Sequence, residues 1–530
     1  LSIAGAALTL VVAGADRRPI GPDFAPIEEG CHPLHATRWL WHASLASILL
    51  FHPACYDAAE GAEMEDLTPG DRDVLLGYAK DTWKSMAAMA EGVELPADGL
   101  RRLPDGNWSK SPQTTPTDIG AYLWSALAAQ RLGIITEDEA NRRIGRTLAA
   151  LERVEKIHGF YHDKIDAKTG GILKTSPVDG KPIPPILSSV DNGWITAALM
   201  MVHHACPAVR DRAEALLRPI DFGFFYKPYN VAEPRTHPGL IRGPYFVDRE
   251  TFGGFQRILN TEQRIAGYIG IARGQIPTEH YYHMGRTLGP DERAQGQHPE
   301  GQYRDYLGLR VFEGHYRYRG MRIVPSWGGS MFEALMVTLF VPEERWAPRS
   351  WGINHPLYVR AQIEHGLEEA RYGFWGFSPA VNPEGGYRTY GVDALGTDPV
   401  GYTSNNDDAR VRGDRTASPD RFRNGVVTPH ASFLALRFAP RAALANLAKL
   451  KESFPIYGEY GFMDSVIVPR GVLSDRVLAL DQGMIMAAIA NALADDAMRH
   501  AFCDGPVERI LRPLIESEEF TAGDDSPAAR

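Results

Sequence analysis

Apolar residues recur at three- and four-residue intervals through most of this chain, in segments long enough for helices and joined by short turns. That period gathers the apolar side chains of each segment on one helical face, which has to be buried against another element. "TDIGAYLWSALAAQRLG" opens with Thr117 and Asp118 as capping residues and stops at Gly133. "TEDEANRRIGRTLAALERVEKI" follows, opened by Thr136 and acids suited to a helix N-terminus. "DNGWITAALMMVHHA", "VRDRAEALLRPIDF", "NTEQRIAGYIGIARG", "SMFEALMVTLF", "HPLYVRAQIEHGLEEARYG", "TPHASFLALRF", "PRAALANLAKLKESF" and "LALDQGMIMAAIANALADD" continue the pattern. With residues 38–50 and 72–90 they make roughly a dozen helices, several paired as antiparallel hairpins. The reading is one large all-α domain, a closed ring of helical hairpins.

Between the helices lie long loops rich in Gly, Pro and aromatics, at 224–254, 287–327, 375–426 and 457–473. Loops of that length in a compact domain usually carry function. They are expected to wall a cleft at the helix ends. The chain has no nucleotide-binding glycine fingerprint or P-loop, so no cofactor is called for. Net charge is -10 and no long basic run is present, which argues against a nucleic-acid partner. No segment has the ~20 uninterrupted apolar residues of a membrane span.

Residues 1–15 are apolar and small, and end in Ala13-Gly14-Ala15. They read as the remnant of a secretory signal peptide, with a mature chain beginning near Asp16 and a secreted or periplasmic protein. Cys31 and Cys55 could then pair. Cys31, His32, His35 and His42 stand close together in "CHPLHATRWLWH", where capping and packing are the expected roles rather than metal binding. Residues 16–515 are read as the single domain, and 516–530 as a disordered tail.

Several acids stand beside aromatic and glycine-rich loops. Glu262 and Arg264 open "NTEQRIAGYIGIARG"; burial would be needed to make Glu262 an acid rather than a helix-dipole carboxylate. Ser330 and Glu333 in "SWGGSMFEALM" have the spacing of a capping box, next to a Trp327-Gly-Gly loop that lets a ligand approach backbone. "RYGFWGFSPAVNPEGG" carries Phe374, Trp375 and Glu384, and "YGEYGFMDS" carries Tyr460 and Asp464. Aromatic rings stack on sugar faces while carboxylates and amides bind hydroxyls. Paired carboxylates are what glycoside hydrolysis needs.

These motifs, taken with "SSVDNGW", "VVTPHASFLAL" and "DQGMIMAAIAN", resemble the glycoamylase-like (glucoamylase-like) domain family across residues 114–491. Its members include endo-β-1,2-glucanases of glycoside hydrolase family 144 and the transglycosylase domain of cyclic β-1,2-glucan synthases. The resemblance implies an (α/α)6 barrel and an endo-acting β-1,2-glucanase working as a monomer. It implies Glu262 of Thr261-Glu262-Gln263-Arg264 as general acid, and Asp464 after Tyr460-Gly461-Phe462-Met463 as general base. Asp191 matches an acidic or polar position facing the same cleft. Arg264, Trp327, Glu333, Phe374, Trp375, Tyr460 and Gln482 complete the expected substrate contacts, the aromatics as sugar platforms and Arg264 as a group tuning Glu262. The transglycosylase relatives have Trp-Gly-Ile-Ser-Glu, with the Glu as nucleophile; here the run is Trp375-Gly376-Phe377-Ser378-Pro379. Proline cannot attack an anomeric carbon, so inversion is favoured, with Glu384 as the alternative nucleophile. The rival functions are a glycosidase of other linkage or exo action, and a non-catalytic glycan-binding protein.

Overall fold

The structure is a computed structural model that describes residues 67–177, 180–292, 295–397 and 425–525. The signal-peptide reading, the Cys31/Cys55 pair, the neighbouring histidines and the 38–50 helix lie outside the described residues.

Helices dominate, and their ends follow local chemistry. α1 (Pro69–Ala90) starts from Thr68, whose hydroxyl caps Asp71 N–H while the Asp71 carboxylate returns to Thr68. α2 (Pro116–Arg131) uses the same box from Thr115, with Pro116 pre-set for the first turn. The cap is therefore Thr115 rather than Thr117. α3 (Glu137–Arg153) is capped by Thr136 as expected, and α4 (Ser189–Ala205) by Ser188. Then come α5 (Arg210–Leu217), α6 (Arg264–Ala272), the single turn α7 (His280–His283), α8 (Met331–Leu335) and α9 (Glu343–Trp346). α10 (Trp351–Glu364), α11 (Pro429–Leu434), α12 (Pro440–Ser453), α13 (Ala479–Leu493), α14 (Ala497–Cys503) and α15 (Pro506–Glu516) follow.

Two kinds of helix separate by burial. α3 buries only a stripe, Ala140, Ile144, Thr147, Leu148, Ala150 and Leu151, as a helix facing water on one side does. α2, α4, α6, α8, α11 and α13 are buried almost all round. α2 packs between α4 and α13, α4 also meets α6, and α11 meets both α13 and α8. The closest approaches need glycine. A Cβ on Gly483 would stand 2.7 Å from Ala121 Cβ, and one on Gly120 3.1 Å from the Trp194 carbonyl oxygen. Trp124 Nε1 donates to Gly483 O across the first of these contacts (2.9 Å). One continuous hydrophobic core runs from Leu75 to Ala522.

The all-α expectation holds only for this helical frame. Among the described residues there are also many short antiparallel strands. β1 (Gly99–Arg102) lies between β2 (Trp108–Lys110) and Arg476–Leu478. β3 (Glu300–Tyr306) and β4 (Leu309–Tyr318) form a long hairpin within the segment read as the 287–327 loop. β5 (Met321–Ile323) extends it, and Gly523–Asp524 adds the fourth strand. The last pairing corrects the reading of residues 516–525 as part of a disordered tail. Glu518 is fully buried, and Arg286 and the Tyr281 hydroxyl both reach its carboxylate. A short hairpin, β6 (Ala380–Val381) and β7 (Tyr387–Arg388), carries "NPEGG" in its turn.

Candidate active site

Three buried helices begin at one cavity of about 620 Å³. α2 brings Thr117 and Asp118 to its wall, α4 brings Asp191 and Trp194, and α13 brings Asp481. Glu262 enters from the turn before α6, and the β6–β7 hairpin covers one side with Glu384 and Tyr387. Arg101, Lys164 and Arg476 add cations at the wall.

Glu262 is 4% exposed, and its Oε2 has no hydrogen-bond partner among the described residues. Burial, reinforced by the neighbouring Glu333 carboxylate, pushes its pKa up to about 8. Asp191 accepts from the Thr117 hydroxyl (2.6 Å), and burial with the nearby Asp163 lifts it to about 7. Asp118 is lifted to about 8 by burial and by Asp98, but its Oδ2 is already engaged by Thr115 N–H and Oγ. Asp481 is pushed well above the usual carboxylate range, first by burial and then by Asp464 beside it. The Asp464 and Asp481 carboxyls are hydrogen-bonded to each other, so the pair holds a proton between them. The Tyr387 phenol feels Asp481, Asp464, Glu262 and Asp118 together, and burial plus their charge keeps it protonated.

Of the expected site residues, Glu262 and Asp191 line the cavity, as does Glu384. Asp464 stands one layer behind: 2% exposed, it accepts from Val381 N–H (2.6 Å) and lies beside Asp481 rather than at the cavity wall. Arg264 is fully buried away from the cavity, in a bidentate ion pair with Glu343 (2.7 and 2.8 Å) and bonded to the carbonyls of Thr261, Glu333 and Ala334. Burial would raise Glu343, but Arg264 and His355 overcome it and hold the carboxyl at about 2. Glu333 closes the expected capping box, its Oε2 also accepting from Ser326 Oγ and Gly328 N–H. Gln482 donates to Phe462 O (3.0 Å).

None of the four aromatics expected as sugar platforms is at the cavity wall. Phe374 packs on Phe454, and Trp375 is 2% exposed with its backbone bracketed by Asn446. Tyr460 meets Trp108 edge-on, and Trp327 is half-buried in its loop. "RYGFWGFSPAVNPEGG" is thus divided: its aromatics plug the core and its "NPEGG" turn lines the cavity. The residues that sequence reasoning missed as cavity groups are Asp118, Trp194, Tyr387 and Asp481. Asp118 was visible as a cap and Asp481 only as part of "DQGMIM".

Residues 298–504 match a family model described as "Putative glucoamylase", and residues 78–223 one described as "Protein of unknown function (DUF3131)". The first match agrees with the resemblance read from the motifs. Its fold is shared with the endo-β-1,2-glucanase of Chitinophaga pinensis, solved with sophorotriose and glucose (TM-score 0.60, 16% identity, 85% of this chain and 99% of that one). The endo-β-1,2-glucanase of Talaromyces funiculosus, solved with sophorose, shares it too (TM-score 0.53, 13% identity, 87% and 94% covered). In sequence the chain is 30% identical, over 90% of its length, to the cyclic β-(1,2)-glucan synthase NdvB of Rhizobium meliloti, of which it spans about one fifth.

Proposed function

We propose that this protein is a glycoside hydrolase, an inverting endo-β-1,2-glucanase that cleaves β-1,2-glucan to oligosaccharides. The observation that carries the reading is Glu262: a buried carboxyl facing a cavity and raised to about 8 is still protonated at neutral pH. It can give that proton to a glycosidic oxygen, directly or through a substrate hydroxyl. The Asp464–Asp481 pair is the base: Asp481, at the cavity wall, takes a proton from the water as it passes its own proton to Asp464 behind it. Asp191 and Lys164 bind sugar hydroxyls, and Trp194 offers an aromatic face.

Inversion is supported by what stands where the transglycosylases keep their nucleophile. Pro379 has no nucleophilic atom. Glu384 is tied to Arg470 (2.5 Å), which holds its carboxyl below the usual range, and its side chain is half exposed at the rim. The six buried helices, with the outer ones, are read as an (α/α)6 barrel; the chain order of buried and amphipathic helices supports this. Export is supported by residues 1–15 and is checked by N-terminal sequencing of secreted protein. A monomer is the assembly proposed.

Reducing-sugar release from β-1,2-, β-1,3- and β-1,4-glucans tests the reading, with NMR of the first product anomer. Internal cleavage of the β-1,2-linked chain with α-anomer first is expected. Release from another linkage alone, or of single sugars from one end, assigns the rival glycosidase. Binding without cleavage assigns the glycan-binding role, and β-anomer first returns Glu384 to consideration as nucleophile.

A further inference from the structure

One layer behind the cavity wall, three metal-ligating side chains converge from three parts of the chain. His430 comes from α11, Asp464 from the loop after Gly461–Phe462, and Asp481 from α13. One ligand-type atom from each lies within 4.8 Å of the other two, and all three residues are at least 97% buried. His430 Nδ1 stands 3.4 Å from Asp481 Oδ1.

Apart from the proton that the two carboxyls share, the atoms turned into this cluster have no donor among the described residues. Val381 N–H occupies Asp464 Oδ2, fixing that carboxylate's orientation as an outer-shell partner does. Asp464 Oδ1, Asp481 Oδ2 and both ring nitrogens of His430 have no hydrogen-bond donor or acceptor placed for them among the described residues. An imidazole buried this deeply without a hydrogen bond is costly unless something engages its lone pair. Two facing carboxylates are costly for the same reason.

We propose that His430, Asp464 and Asp481 form a divalent-cation site selective for a zinc-like ion. One imidazole nitrogen with two carboxylate oxygens is a donor set for zinc rather than for magnesium or calcium, which prefer oxygen alone. Zinc bonds of ~2.0–2.2 Å put tetrahedral ligand atoms a little over 3 Å apart. The ligand atoms, within 4.8 Å of one another, close on that spacing when the ion binds. Asp481 lines the cavity, so the fourth coordination position opens there. The site stands on its own geometry, whereas its consequence rests on the hydrolase reading: zinc takes the oxygens that the base uses, so it inhibits.

The test is calorimetric titration of the chelator-treated whole chain with Zn²⁺, with Mg²⁺ and Ca²⁺ as controls, on wild type, His430→Ala and Asp481→Asn. Circular dichroism shows that each variant is folded; Asp481→Asn, the same size as the native residue, serves if His430→Ala is not. The expected result is one Zn²⁺ per chain, with binding at least about 100-fold weaker in either variant, since even outer-shell changes cost ~10–100-fold. Absence of saturable Zn²⁺ binding overturns the proposal. So does binding that both variants keep within threefold, because that places the ion on other histidines. Inhibition of glucan cleavage is read separately. Binding that the variants abolish but that leaves the rate unchanged keeps the site and removes the Asp464–Asp481 pair from the base role.

Discussion

Replacing Glu262 by Gln should make the protein more stable while making it inactive. Glu262 has an ordinary value of 4.5 and is raised to about 8 in the folded chain, by burial and then by Glu333. Asp191 adds to the rise, Arg264 opposes it, and the Tyr387 phenol is the other titratable group turned toward it. Below pH ~4.5 folded and unfolded chains both hold the proton, and the site costs nothing. As pH rises from 4.5 through 8, the unfolded chain gains by ionising while the folded chain cannot, so stability falls across that window and levels off above it. Each pH unit in the window corresponds to ~1.4 kcal/mol, which makes the loss at pH 7 on the order of 3 kcal/mol. Gln is neutral at every pH and escapes it. Urea denaturation of wild type and Glu262→Gln at pH 4.5, 6, 7 and 8 should therefore show two midpoints that coincide in acid and diverge upward in favour of the variant. Groups common to both proteins cancel in the difference. A variant equal to or less stable than wild type at pH 7, or a gap that does not close in acid, would refute the claim that Glu262 is held protonated. The activity of the same variant should fall by ~10²–10⁴-fold if the proton is the one delivered to the leaving group.

Arg264→Met should cost about 3–5 kcal/mol in chemical denaturation, because it leaves the Glu343 carboxylate buried without its cation; Arg264→Met with Glu343→Gln should recover much of that. Asp464→Asn and Asp481→Asn should each lower the rate of glucan hydrolysis by ~10²–10⁴-fold with near-normal melting, measured as reducing-sugar release. Glu384→Gln should keep activity within about tenfold, since an exposed ion pair contributes little; a loss as large as that of Glu262→Gln would make Glu384 the nucleophile. Trp375→Ala should lose about 3–5 kcal/mol of stability by denaturation, as a side chain packed in the core rather than lying against sugar.

Helices were legible because their period and caps are local. Thr136 and Ser330 start helices as their spacing with the following acids requires. The β3–β4 hairpin was not legible, and the reason is its buried face. Glu313 and His315 point inward there, Glu313 toward Arg286 and His315 toward Thr521. Polar side chains buried inside the protein break the apolar alternation that marks a strand. The strand contributed by Gly523–Asp524 depends on Glu518 and Arg286, 232 positions apart in sequence, and no local pattern reports such a pair. The platform aromatics failed for a related reason. Phe374 and Trp375 sit among glycines as a sugar-binding loop would, yet the same flexibility lets the chain fold them into the core.

The site itself shows which signal separates a structural acid from a chemical one. Asp118, Asp191, Glu333 and Asp481 all occupy the third position of a buried helix, and by spacing alone each reads as a helix cap. What differs is the residue three places earlier. Thr115 and Ser330 supply hydroxyls, and the Asp118 and Glu333 carboxylates are engaged in closing the helix start. Ser188 caps the Asp191 amide, and the Asp191 carboxyl accepts from the Thr117 hydroxyl across the cavity wall. Before Asp481 stands Leu478, which can cap nothing, and α13 begins with no side-chain cap. Glu262 has Leu259 in the same place. Burial drives the Asp118 carboxyl up as well, so what sets Glu262 and Asp481 apart is that no cap hydroxyl holds their carboxyls. The two acids with leucine three places before them are therefore the two to which this reading gives proton transfer, Glu262 to the leaving group and Asp481 from the water.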